Sequence, residues 1–310
     1  MQHPAQPITP ELINDIETVL GRAGLDVRIP ETGMWKSTFI VSDGDQHWVV
    51  RIMQPPALRL RRGLMAQRKA AATGVKVPEL IHESLTESPN HGLLWTIEAF
   101  MDGQSYYPSQ LDREICLSAA RDMGLQLSRL HTIRVGAFGP LNTTLDGPMD
   151  NENPHSWQGW LNESEEKFKR SFDVAQMSPH GQTAIREALA RLRDFDPGLP
   201  RLCHGDFADD NLIIRDGKLA AVIDWNNVIG CDPAFDLAYG YLWHNDTECF
   251  DALLESYARS TGDDLESLRR RTLDHRLVFA TWLIDWCTGQ GSLESRAHII
   301  SVLKKITGEV

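Results

Sequence analysis

Between Leu202 and Tyr241 the chain reads LCHGDFADDNLIIRDGKLAAVIDWNNVIGCDPAFDLAYGY, with polar residues at fixed offsets around short apolar runs. His204-Gly205-Asp206 opens the pattern, Asn211 stands five residues past the aspartate, and Asp224 closes the run Leu219–Ile223. Leu212–Ile214 and Leu219–Ile223 read as short strands joined by the turn Arg215-Asp216-Gly217-Lys218. A fold containing this stretch carries a loop, a hairpin and a second loop in direct succession. Any single Asp or Asn in a loop is ordinarily a turn residue. A carboxylate, an amide and a second carboxylate around one hairpin go further, because they are the hard oxygen donors that Mg²⁺ prefers.

The kinase catalytic loop H-R-D-x-x-x-x-N uses its Asp as base and its Asn on a metal, and a second metal-binding Asp follows. Here Gly205 replaces the Arg, and I-D-W stands where D-F-G is usual. In this form the segment resembles the aminoglycoside phosphotransferase family, which has the protein-kinase-like fold. The resemblance implies an α+β, bilobal architecture. A small N-terminal lobe, residues 1–103, would hold an antiparallel sheet plus helices and end in a hinge strand. A larger, mainly helical C-terminal lobe, residues 104–310, would hold the catalytic and acceptor sites. The implied reaction moves a phosphoryl group from ATP (or GTP), with Mg²⁺, to a hydroxyl of a small molecule. Asp206 would accept the hydroxyl proton, and Asn211 and Asp224 would hold the metal. His204 is expected to anchor the loop, and Asp236 to tie it down. Gly205 is expected to let the loop turn where a larger side chain would block the acceptor.

Upstream, Thr9-Pro10-Glu11 reads as a helix start. Strand patterns follow at 26–30, 37–42 and 47–53, with the last two joined at Asp43-Gly44-Asp45. The resemblance places the triphosphate loop at 32–38, where Gly33, Ser37 and Thr38 are the candidate phosphate contacts. Arg51 takes the strand position usually held by Lys, and its planar fork suits phosphate. The next helix, 58–73, contains no Glu to pair with it. Its Arg59, Arg61 and Arg62 read as a solvated face with one possible approach to phosphate. The apolar run ending in Asp102-Gly103 matches the family's hinge, so Glu98, Ala99 and Phe100 are expected to line the base.

The remainder reads as helices at 112–132, 156–174, 181–193, 233–243, 248–260, 264–288 and 293–306. A helix ending in Leu130-His131, followed by Gly136-Ala137-Phe138-Gly139-Pro140, resembles the hygromycin B phosphotransferase branch of the family. Trp282, Asp285 and Trp286 fall on one helix face. With Asp246 they form a candidate wall for a cationic sugar, unless the rings are ordinary core. Asp209 and Asp210, beside the base, are the stronger acceptor candidates.

The net charge is −12, and residues 1–103 contribute 12 acidic against 10 basic side chains, so most of the imbalance lies beyond them. That argues against a nucleic-acid partner and suits a polycationic small molecule. No apolar run is long enough to predict a membrane span. The five cysteines show no C-x-x-C pair, so reduced thiols, no zinc and a cytoplasmic location are expected. The oligomeric expectation is a monomer or small homo-oligomer. Other acceptors in reach of the same catalytic letters are macrolides, choline, homoserine and methylthioribose. A nucleotide-binding regulatory pseudokinase is the alternative of a different class, and intact Asp206, Asn211 and Asp224 oppose it.

Overall fold

The structure is a computed structural model, and it describes residues 8–30, 38–54, 56–149, 156–242 and 246–309. The chain divides into two compact units. One comprises residues up to Arg61 together with Val77–Asp102, and the other Arg62–Lys76 together with Gly103 onward.

The first unit begins with α1 (Pro10–Leu20). Thr9 caps it, its hydroxyl accepting from the Leu12 amide at 3.3 Å, and Gly21 ends it in the left-handed conformation. Then come β1 (Asp26–Arg28), β2 (Thr38–Asp43), β3 (Gln46–Met53), the start of α2 (Leu58–Ala72), β4 (Leu80–Ser84) and β5 (Leu94–Ala99). The five strands form an antiparallel sheet in the order β1-β2-β3-β5-β4. Alternation along β2 and β3 sends Phe39, Val41, Val50 and Ile52 to one face. There they pack with Leu12 and Ile16 of α1 and Trp95 and Ile97 of β5. The opposite face is thereby left to polar side chains, including Arg51 and Glu98.

The second unit takes up most of α2 and continues through β6 (Gln104–Ser105), α3 (Arg113–Leu130), β7 (Gly139–Pro140), α4 (Trp157–Glu166), α5 (Phe168–Ala175), α6 (Pro179–Asp194), β8 (Arg201–Cys203), β9 (Leu212–Arg215), β10 (Lys218–Val222), β11 (Ile229–Cys231), α7 (Ala234–Gly240), α8 (Thr247–Thr261), α9 (Leu265–Gln290) and α10 (Leu293–Ile306). Two small three-stranded sheets, β10-β9-β6 and β7-β11-β8, carry the loops of interest. Most of the rest is helical. The small antiparallel sheet and largely helical remainder match the expected α+β class. α9 is buried over most of its length and packs against α5, α6, α7, α8 and α10. No helix among the described residues is long and apolar enough to cross a membrane.

Two expectations need correction. The single helix expected over 156–174 is two helices, because the chain breaks at Lys167, which caps the end of α4 and the start of α5. Cys116 and Cys249, expected as thiols, form a disulfide that joins α3 to α8, their Cα atoms 6.5 Å apart. The two residues are 133 positions apart, and only the side-by-side packing of the helices brings them together. Cys203, Cys231 and Cys287 are free and buried.

Candidate active site

The 204–206 loop follows β8 and is held from below by one buried carboxylate. Asp236 of α7 accepts the amides of His204 and Gly205 at 2.7 and 3.0 Å. It also meets His131 Nε2 at 3.2 Å, and His131 Nδ1 lies 3.0 Å from the Tyr257 hydroxyl. Hydrogen bonds to a charged acceptor are among the stronger ones, so this carboxylate fixes the loop's entry. The His204 ring is fully buried. Its Nε2 donates to the Ile223 carbonyl at 3.0 Å, and its edge meets Trp225 at 4.8 Å. One imidazole therefore joins the 204–206 loop to the end of the β9–β10 hairpin, next to Asp224.

Gly205 has φ +76°, and a Cβ on it would fall 2.1 Å from the Asn227 carbonyl oxygen. The two loops thus cross closely at this residue. The positive φ agrees with the tight turn expected of it, and the loop crossing is a further reason for glycine.

Asp206 is half-buried. Its carboxylate accepts from Asn227 Nδ2 at 3.1 Å and from the hydroxyl of the buried Tyr239. Burial pushes the Asp206 carboxyl above the ordinary aspartate range. The Tyr239 and Asn227 hydrogen bonds pull it down, and the charge of Asp224 adds to the rise. Asn211 ends a 3₁₀ turn at Asp209–Asn211, and its Nδ2 donates to the Asp206 carbonyl at 2.9 Å. That contact uses the nitrogen of the amide and leaves Oδ1 as the donor suited to a cation. Asp224 has φ 59° and ψ 66°, uncommon for a residue with a Cβ, and its Oδ1 accepts from Asn226 Nδ2 at 2.7 Å.

Asp209 is buried and Asp210 exposed. Partial loss of solvation among its neighbours raises the Asp210 carboxyl, and the charges of Asp206, Asp209 and Asp224 push it further. Asn211 Oδ1 and the Asp224 carboxylate are the oxygen donors that flank the hairpin, beside the acidic Asp206, Asp209 and Asp210. A divalent cation fits Asn211 Oδ1 and the Asp224 carboxylate, because both are hard oxygen donors.

In the first unit, Gly33 and Ser37 lie outside the described residues. Thr38 starts β2 directly opposite Arg51 on β3. Arg51 Nε lies 3.5 Å from Glu98 Oε2, both side chains largely buried. The carboxylate that α2 lacks is therefore supplied from β5, diagonally across the sheet. The Ala99 and Phe100 amides already donate to the Glu79 and His47 carbonyls, at 2.9 and 3.4 Å.

The other acceptor candidates are engaged within the chain. Asp246 caps α8, accepting from the Cys249 amide at 2.9 Å, and pairs with Arg113 of α3 at 2.5 Å. Asp285 pairs with Arg170 at 3.2 Å. Lys167 Nζ sits 4.9 Å above the Trp282 ring, and Trp286 is half-buried against the helical core. Burial lowers the Lys167 pKa, opposed by Glu163, Asp285 and Glu166. The rings are nevertheless continuous with the loop. Tyr239, which touches Asp206, lies 5.0 Å from Phe279, and Phe279 stacks on Trp282 at 5.3 Å.

The model of the phosphotransferase enzyme family matches residues 26–271. The chain belongs to this family. It is accordingly a phosphotransferase. No curated protein sequence matches it. Solved structures share its fold. One is a thermostable mutant of the aminoglycoside phosphotransferase APH(4)-Ia, as a ternary complex with AMP-PNP and hygromycin B. It is 16% identical, with 94% of this chain and 96% of that one covered and a TM-score of 0.68. Another is the gentamicin–APH(2")-IIa complex, at 16% identity, 96% coverage of each chain and a TM-score of 0.61. A third is the macrolide 2'-phosphotransferase MphH from Brachybacterium faecium. It has 18% identity, coverage of 95% and 98%, and a TM-score of 0.62.

Several residues around the 204–206 loop went unnoticed in the sequence. Asn226 and Asn227 follow Asp224-Trp225 directly, and one amide holds each acidic side chain. Two consecutive amides after the aspartate were the available signal. Tyr239 lies three residues past Asp236, inside an apolar run where a tyrosine reads as core. The arginines of α2 are not one solvated face. Arg59 is exposed, Arg61 bonds the Leu85 carbonyl, and Arg62 is buried.

Proposed function

We propose that this phosphotransferase transfers the γ-phosphoryl group of ATP or GTP to a hydroxyl of a small cationic molecule, an aminoglycoside foremost. The observation that carries the reading is the held carboxylate of Asp206. Asn227 and Tyr239 fix its direction while burial raises its proton affinity, as suits a group that orients a hydroxyl and takes its proton. Asn211 and Asp224 would hold Mg²⁺, which when bound neutralises the phosphate charge. Arg51, kept in place by Glu98, faces a phosphate of the nucleotide, with Thr38 beside it. Glu98, Ala99 and Phe100 belong to the segment that meets the base, through groups other than the two amides already used. On the acceptor side, Asp209 and Asp210 attract ammonium groups, which the predominantly acidic charge beyond residue 103 draws in. The APH(4)-Ia complex with hygromycin B supports an aminoglycoside acceptor.

One observation favours a second reading. Asp246, Asp285 and Trp282 already hold Arg113, Arg170 and Lys167. A wall so occupied suits an acceptor with few ammonium groups, as a macrolide has, and MphH shares the fold. Acceptor-dependent ADP release, measured across aminoglycosides, macrolides and choline-like amines, separates the two. Stimulation by the polycationic aminoglycosides supports the first, stimulation by macrolides but not aminoglycosides the second, and stimulation by neither rejects both.

A further inference from the structure

Asp224 sits in a backbone conformation that persists only where its surroundings impose it. Two consecutive residues of α2 meet the turn that follows Asp224. Arg62 is 6% exposed, and its guanidinium reaches backbone carbonyls of two separate segments. Nη2 donates to the Asn226 carbonyl at 3.0 Å, and Nη1 to the Leu141 carbonyl at 3.0 Å, with Met149 Sδ at 3.4 Å. Gly63 lies against the turn just before, where a Cβ would come within 2.9 Å of the Trp225 carbonyl oxygen. Asn226, fixed by Arg62 through its carbonyl, returns its side-chain amide to Asp224 Oδ1 at 2.7 Å. The path from guanidinium to carboxylate is therefore two hydrogen bonds long and passes through a single residue.

We propose that Arg62 is a positioning residue for the metal-binding carboxylate. It locks the Trp225–Asn227 turn, and Asn226 in turn sets the rotation of the Asp224 carboxylate. A helix that carries no Glu for Arg51 thus serves the site differently, by gripping the backbone after Asp224. Lysine would not substitute fully, because one ammonium cannot span two carbonyls in the planar geometry of a guanidinium. The inference rests on the reading of Asp224 as a Mg²⁺ ligand.

The test uses the full-length protein and AMP-PNP, and needs no acceptor. Thermal stabilisation by AMP-PNP is measured as Mg²⁺ is titrated, for wild type, Arg62→Met, Arg62→Lys and Asn226→Ala. Groups that orient a metal ligand usually change metal affinity by about 10–100-fold. Arg62→Met and Asn226→Ala are each expected to raise the half-saturating Mg²⁺ by about tenfold or more. Arg62→Lys should fall between them and wild type. A merely structural arginine would lower the melting temperature of the unliganded protein and leave the Mg²⁺ half-point in place, and that result overturns the proposal. Should Arg62→Met not fold, Asn226→Ala decides, because it leaves the buried guanidinium intact. Half-points within about twofold of wild type for the soluble variants would sink the inference alone. A wild type whose AMP-PNP stabilisation ignores Mg²⁺ would sink the Asp224 reading and the inference with it.

Discussion

The loops around Asp206 and the half-buried flank of α9 both bring acidic and ring side chains together, yet they are built in opposite ways. In the loop, neutral donors hold the acids: Asn227 and Tyr239 on Asp206, and Asn226 on Asp224. Such partners fix a carboxylate without cancelling its charge, so its capacity for a proton or a cation survives. On α9 the partners are cations, with Arg170 on Asp285 and Lys167 on Trp282. There the charge is largely spent within the chain. A region held by neutral groups is ready for chemistry, whereas one held by counter-ions must exchange a partner before it can bind another.

The largest effect should come from the loop. Asp224→Ala is expected to lower turnover by about 10²–10³-fold or more and to abolish the Mg²⁺ dependence of AMP-PNP stabilisation. Unchanged Mg²⁺ dependence would place the metal elsewhere and remove the basis of the comparison. Next comes Gly205→Ala, which forces a Cβ against the Asn227 carbonyl at a positive φ. The loops must part, and displacement on that scale should reduce kcat by about a hundredfold. Steady-state kinetics beside circular dichroism would show whether activity falls while the fold stays.

The smallest effect belongs to α9. Lys167→Met uncovers Trp282, and if an ammonium of the acceptor takes its place, the acceptor KM should fall about two- to fivefold, the scale of an exposed cation–π contact of ~0.5–1 kcal/mol. The KM for ATP should not move. An acceptor KM that rises or stays put would show that this flank serves packing alone.

The sequence revealed those features whose information is local. The H-G-D-x-x-x-x-N loop, the hairpin, the N-cap of α1 and the turn at Gly44 each lie within a few residues. The periodicity of the late helices was equally readable, though the break at Lys167 was not, since apolar spacing continues across it. What stayed hidden depends on contacts between distant segments. Glu98 is 47 positions from Arg51, and Asn226 is 164 from Arg62. The Cys116–Cys249 bond likewise needed α3 and α8 to be placed side by side. Arg62 misled because a run of arginines on a helix reads as a wet face. Nothing in its neighbours distinguishes the one that turns inward.

The central claim is that Asp206 serves the acceptor hydroxyl and not the nucleotide. Asp206→Asn tests it most directly, with acceptor-stimulated ADP release and calorimetric binding of Mg²⁺–AMP-PNP measured on the same preparation. Asparagine keeps the shape and a hydrogen bond but cannot take the proton. Turnover should fall by about 10²–10⁴-fold while AMP-PNP affinity stays within about threefold of wild type. Turnover close to wild type, or a loss of nucleotide binding that matches the loss of rate, would contradict the account.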